Sequence, residues 1–265
     1  MGTALVITSG KGGVGKTTLT ANLGVALAQR KKRVVLLDAD IGLRNLDVVM
    51  GLENRIVFDV VDVARGICRL AQALVRDKRY SGLYLLPAAQ AADKNTLTAE
   101  QMRDVVVELK REFDFVLIDC PAGIEQGYQN AVAGADQAIV VVIPEVSSVR
   151  DADRVIGLLA AQGIHSPFLV VNRYQRAMVR RGDMMDADDI MDVLGIDLLG
   201  VVAEDPGVIK ASNLGSPLAE GNTAAGFAVR ELAAKLCGDI VREHAHGTWG
   251  SRIKRLFMQG QKGAL

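Results

Sequence analysis

Gly10-Lys11-Gly12-Gly13-Val14-Gly15-Lys16-Thr17 is the stretch that decides the fold class. It fits G-x-x-x-x-G-K-[ST], follows an apolar run at residues 4–8 and opens a helical pattern at residues 17–30. That strand–loop–helix context is what a phosphate-binding loop requires. Glycines let the backbone curl so that successive N–H groups converge on an anion, and the start of the helix adds its positive dipole end. Gly12, Gly13, Val14, Gly15, Lys16, Thr17 and Thr18 are therefore the candidate nucleotide cradle. Within it, Lys16 reaches the β- and γ-phosphates and the Thr17 hydroxyl takes one Mg²⁺ position.

Lys11 is the more telling residue. An ordinary phosphate loop has no need of a lysine directly after its first glycine. A second cation there is either a surface charge or a group that crosses a dimer interface to a partner's phosphates, like an arginine finger supplied in trans. Physics alone leaves the two open.

Outward from the loop, apolar runs at residues 34–38, 83–86, 115–119, 138–143, 168–172 and 199–203 read as strands covered on both faces. Helical patterns alternate with them at residues 99–111, 148–161, 187–194 and from 223 to about 241. The expectation is an α/β fold, a doubly wound and mostly parallel sheet flanked by helices. No repeat or internal linker interrupts residues 1–241, so they read as one ATPase domain. Residues 242–248, with His244 and His246, form a polar break, and residues 249–265 a separate tail. The two histidines are read as solvated.

Lys plus Arg (31) balances Asp plus Glu (31), which argues against a polycationic nucleic-acid binder. Aromatics at 4% are too few for a base-stacking platform. Apolar runs stay too short for a membrane-spanning helix, and the start lacks the order of a secretory signal. Cys68, Cys120 and Cys237 are few, scattered and odd in number, which points to a reducing compartment and no specific metal cluster.

Two further segments complete the site. Asp119 ends the apolar run 115–119, where it would orient a water on Mg²⁺, and the flexible loop 121–123 follows it. Asp38 and Asp40 end another strand at the edge where ligands bind. Asp40 there either positions an attacking water or is a helix-cap or loop carboxylate. In the tail, Trp249, Ile253, Leu256 and Phe257 fall on one helical arc, with Lys254 and Arg255 facing away and no acid from 249 onward. That is the composition of a helix lying on anionic membrane lipid. The bland alternative is a last helix packed on the core.

Residues 11–18 are similar to the deviant phosphate loop of the ParA/MinD ATPases, in which the extra lysine is the defining mark. Residues 38–47, 119–125, 144–151 and 210–213 resemble the MinD branch in particular, and the likeness runs from about residue 3 to 257. The resemblance implies ATP and Mg²⁺ as cofactors, and a homodimer in which Lys11 engages the opposite subunit's nucleotide. It implies that Asp40 positions the hydrolytic water, with Asn45 supporting the closed switch loop. Asn172 would hydrogen-bond the adenine edge, with Glu204 and Asp205 nearby. Ala203 stands where the family often has proline, and Cys120 replaces a frequent serine.

As a whole the resemblance implies a membrane-cycling ATPase on the cytoplasmic side, peripheral to the inner face of the cell membrane, that regulates division-site placement. Its partners would be a MinC-like division inhibitor and a MinE-like or other topological regulator, with no specific nucleic acid. The neighbouring alternatives are a flagellar-placement ATPase and a ParA-type DNA-segregation ATPase.

Overall fold

All seven apolar runs form strands, because each carries side chains that two helical layers cover. The computed structural model describes residues 1–93 and 96–239. The tail residues Trp249, Ile253, Lys254, Arg255, Leu256 and Phe257 lie outside them, as do His244 and His246. In chain order the first half comprises β1 (Thr3–Thr8), α1 (Lys16–Gln29), β2 (Val34–Asp38), α2 (Leu46–Met50), α3 (Val60–Ala64), α4 (Leu70–Ala73), β3 (Val75–Arg76), β4 (Leu83–Leu86) and α5 (Ala99–Glu112). The second half comprises β5 (Phe115–Asp119), α6 (Gln126–Val132), β6 (Gln137–Val142), α7 (Val146–Ala161), β7 (Phe168–Tyr174), α8 (Arg176–Arg181), α9 (Ala187–Leu194), β8 (Asp197–Ala203), α10 (Gly207–Asn213) and α11 (Ala224–Leu236).

The eight strands form one sheet in the order β3-β4-β2-β5-β1-β6-β7-β8, with only the two-residue β3 antiparallel. Strand side chains alternate between two cores. Val6, Val35, Leu37, Ile118 and Val140 pack with α5, α6, α7 and α9 on one face. Leu5, Ile7, Leu36, Leu117 and Val141 pack with α1 and α11 on the other. α1 is buried along most of its length, which suits a helix that is apolar almost all round.

Several boundaries differ from the sequence reading, three of them for a clear local reason. α11 ends at Leu236, not near residue 241, because Gly238 turns left-handed at φ 80° and the N–H groups of Gly238 and Asp239 return to the Lys235 and Ala234 carbonyls. α7 begins at Val146, two residues before Ser148, whose hydroxyl accepts the Ile143 N–H at 3.1 Å from inside the first turn. β7 continues past Asn172 to Tyr174, with a register irregularity against β8 at Arg173, where φ is +55°.

α5 starts with a reciprocal capping box: Gln101 N–H donates to Thr98 Oγ1 at 3.2 Å, and Thr98 N–H to Gln101 Oε1 at 3.0 Å. Thr98→Ala is expected to lower stability by about 1 kcal/mol. For a domain of this size that is a melting-point drop of about 2–4 °C by calorimetry. An unchanged melting point would mean the box adds nothing in solution.

Candidate nucleotide-binding site

The carboxyl ends of β1, β2, β5 and β7 and the start of α1 converge on one edge of the sheet. Gly15 enters α1 at φ +98°, and a Cβ there would stand 2.4 Å from Asn172 Nδ2. Only glycine fits both the backbone and the space. The loop is tied on that side by Asn172 itself, whose Nδ2 donates to the Val14 carbonyl at 2.8 Å.

The two lysines of the loop lie in opposite settings. Lys16 is buried, and its Nζ donates to Ser9 Oγ at 2.9 Å. Ser9 Oγ in turn donates to the Lys11 carbonyl at 2.7 Å. The Lys11 side chain is 43% exposed and reaches across to the start of α7, 3.2 Å from Glu145 Oε2 and 3.4 Å from Ser147 Oγ. Lys16 therefore belongs to the loop's interior and Lys11 to its rim.

Asp38 and Asp119 stand in register at the ends of β2 and β5, both buried. Burial pushes the Asp38 carboxyl well above its ordinary value of 3.8, and the Asp119 charge adds to this. Burial also raises Asp119, against the lowering effects of the Thr17 hydroxyl, the Lys16 ammonium and the Thr20 hydroxyl. Thr20 Oγ1 donates to Asp119 Oδ1 at 3.2 Å. Asp38 spends its oxygens on the segment that follows: Oδ1 accepts Asp40 N–H at 2.9 Å, and Oδ2 accepts Asn45 and Leu46 N–H at 3.2 and 3.1 Å. Asp40 and Asn45 are thus placed at the site by Asp38.

The donor chemistry fits a hard divalent cation. Buried Asp119 beside the Thr17 hydroxyl is an all-oxygen set, and a cation there would offset its repulsion with Asp38. Next to the loop lies a cleft of about 210 Å³ lined by Leu19, Asn22, Asn172, Val202, Glu204 and Asp205, among others. A cavity of about 150 Å³ already admits benzene, so this one has room for a planar heterocycle. Glu204 is exposed at its edge, whereas Asp205 Oδ1 accepts the Gly207 N–H at 2.8 Å and starts α10.

Every sequence-derived candidate within the described residues falls at this edge. Three contributors were missed. Ser9, which holds Lys16, precedes the motif. Thr20 and Asn22 are polar residues on the buried helix α1, and Asn22 Oδ1 accepts the Ala219 N–H at 2.9 Å under the cleft. Their signal is polarity inside an otherwise apolar helix.

A family model described as the CobQ/CobB/MinD/ParA nucleotide binding domain matches residues 5–218. The septum site-determining protein MinD of Bacillus subtilis (strain 168) is 61% identical over 244 residues, 91% of each chain. The chain belongs to the MinD family. Among solved MinD-family structures, the MinC:MinD cell division protein complex of Aquifex aeolicus superposes with a TM-score of 0.85 at 46% identity, covering 92% of this chain and all of that one. MinD complexed with Mg-ADP from Pyrococcus horikoshii superposes with a TM-score of 0.81 at 31% identity, covering 89% and 96%. This chain therefore has the mostly parallel nucleotide-binding fold of the MinD family, with its loop, paired carboxylates and cleft on one sheet edge.

Asp38 links this site to pH. Burial and the Asp119 charge push its folded carboxyl up from 3.8 to about 7, so the folded state holds the proton more tightly. Ionising it between about pH 4 and 7 costs the folded state stability. Asp38→Asn removes that cost, so the variant's stability relative to the parent is expected to rise with pH across this window. Urea midpoints of both proteins without nucleotide or Mg²⁺ measure it. Parallel pH curves would contradict the burial of this charge.

Proposed function

We propose that this protein is an ATP-hydrolysing, membrane-cycling regulator of division-site placement. The observation that carries the reading is the division of labour between the two loop lysines, one enclosed with Asp119 and one on the exposed rim. Lys16, with the backbone of residues 12–18, holds the β- and γ-phosphates. Thr17 and, through a water, Asp119 would hold Mg²⁺, which would supply positive charge against the phosphates. Asp40 orients the attacking water, and Asn45 keeps its segment closed. Asn172, Glu204 and Asp205 border the adenine.

Lys11 then has a task that Lys16 cannot perform. Released from Glu145 and Ser147, it reaches the phosphates of a second copy and stabilises charge on the transferring group. ATP thereby joins two chains. Residues 1–241 act as the ATPase domain, 242–248 as a linker and 249–265 as the membrane-targeting tail. Trp249, Ile253, Leu256 and Phe257 insert among anionic lipids while Lys254 and Arg255 meet the headgroups, at about 1 kcal/mol per basic residue. One such tail binds weakly. Two on one body raise binding by roughly 10²–10⁴-fold, so hydrolysis releases the protein from the inner face of the membrane. The exposed face of α7, with Arg150, Asp151, Asp153 and Arg154, suits a MinC-like inhibitor and a MinE-like or other topological regulator.

Co-sedimentation with anionic liposomes tests the cycle, in ATP and in ADP, for the full chain and for one ending at Thr248. Binding that requires both ATP and the tail is expected. Equal binding in the two nucleotides would break the link to dimerisation, and salt-sensitive DNA retention without lipid binding would favour a segregation ATPase. Glu145→Gln frees Lys11 from an exposed ion pair worth about 0.2–1 kcal/mol. It is expected to lower the ATP concentration needed for dimerisation by up to about fivefold, measured by light scattering. A higher requirement would make Glu145 a dimer contact instead of a restraint.

A further inference from the structure

α10 is a seven-residue helix with no buried residue, and α2 is a five-residue helix. Neither is long enough to persist alone. α10 is therefore positioned by what holds its ends, whereas α2 is positioned by Leu46 and Met50 in the core together with the bonds at its ends. At the near ends both are tied to the nucleotide site: Asp38 accepts the Leu46 N–H where α2 begins, and Asp205 accepts the Gly207 N–H where α10 begins. At the far ends both are tied to one side chain. Arg79 donates through Nη1 to the Gly215 carbonyl at 2.6 Å and through Nη2 to the Met50 carbonyl. The same guanidinium meets the buried Asp77 at 2.8 and 3.2 Å, which fixes its plane.

The junction is close-packed at backbone level. Gly51 and Gly215 follow the two helices at φ 63° and 57°, and a Cβ on Gly215 would lie 2.6 Å from Gly51 Cα. The two helix ends cannot slide past each other while Arg79 bridges them.

We propose that Arg79 is a positioning residue that couples the base cleft to the hydrolytic segment. This rests on the reading of the site as an ATPase centre and adds a mechanical link within it. A base filling the cleft fixes Asp205 and the start of α10. Arg79 passes that constraint to the end of α2, whose beginning shares the Asp38 anchor with Asp40 and Asn45. Ordering of the cleft thus orders the segment that positions the attacking water. The two sites are joined by packed, hydrogen-bonded elements, which is the physical requirement for such coupling.

Arg79→Lys tests this, because lysine keeps a cation for Asp77 but has no planar fork to bridge two carbonyls. Hydrogen exchange is followed with and without ADP. In the parent, ADP is expected to slow exchange in residues 208–214 and also in residues 47–50. In Arg79→Lys the first protection persists and the second is lost. With ATP, kcat falls by about two- to thirtyfold, the range for a lost coupling, while KM is little changed. Gly215→Ala, which forces the same junction apart with Arg79 intact, gives the same pattern and serves if the first variant does not fold. The double variant then adds little to either single one. Retained ADP protection of residues 47–50 in both variants would overturn the coupling alone. No ADP protection of residues 208–214 in the parent would overturn the base-cleft assignment and the coupling with it.

Discussion

Two carboxylates side by side in the interior, Asp38 and Asp119, set the terms for everything around them. Parallel pairing in register brings the ends of β2 and β5 together, so the two charges cannot separate without breaking the sheet. The chain meets the cost of this in different ways on the two sides. Asp119 is surrounded by donors from α1, namely Thr17, Lys16 and Thr20. Asp38 instead takes backbone N–H groups from the segment after its own strand. One carboxylate is thereby bound to the start of α1 and the other to the segment that follows β2. A divalent cation and a triphosphate at this edge would act on both at once.

That asymmetry goes with a difference in burial between the elements under the phosphate loop and those after Asp38. β1, α1 and β5 are buried almost throughout and belong to the two cores. α10 places no side chain in either core, and the segment from Asp40 through α2 places only Ile41, Leu46 and Met50 there while exposing Leu43 and Val48. Elements with little apolar burial open at low free-energy cost. The geometry of α10 is then carried by a few hydrogen bonds, those of Asp205 and Arg79, and that of the segment after Asp38 by its carboxylate bonds beside the Leu46 and Met50 anchors. Occupying the site can change such a geometry without disturbing the sheet.

Much of this was legible in the sequence because long-range physics and local pattern agreed. Apolar runs of four to six residues alternating with helical patterns leave little choice but buried parallel strands, and the loop motif located the ligand edge between them. What escaped was of two kinds. α2, α3, α4, α6, α8 and α10 have four to seven residues each, too short to display a helical period, and their ends are fixed by tertiary hydrogen bonds. The tie from Asn172 to the loop, and the irregularity at Arg173 beside it, depend on β7 lying against α1's entry, which no spacing reveals. Asp38 was visible as a strand-end acid, but its neighbour Asp40 drew the functional reading. Only the register with Asp119 shows which carboxylate is the anchor.

Lys11 illustrates why a weak contact suits a switching residue better than a strong one. Its bridge to Glu145 is solvent-exposed on both sides, a setting in which ion pairs contribute about 0.2–1 kcal/mol. A charge-assisted hydrogen bond to phosphate in a shielded interface contributes about 1.5–3 kcal/mol. In the proposed dimer that difference would favour transfer of the lysine from its own chain to a second copy's nucleotide. Had Glu145 been buried, removing its partner would cost about 3–5 kcal/mol and the lysine would stay where it was. Lys16, enclosed against Ser9 and Asp119, has the opposite requirement and the opposite setting. In the proposed cycle the same side-chain chemistry would do two jobs five residues apart, and exposure to water is what separates the two settings.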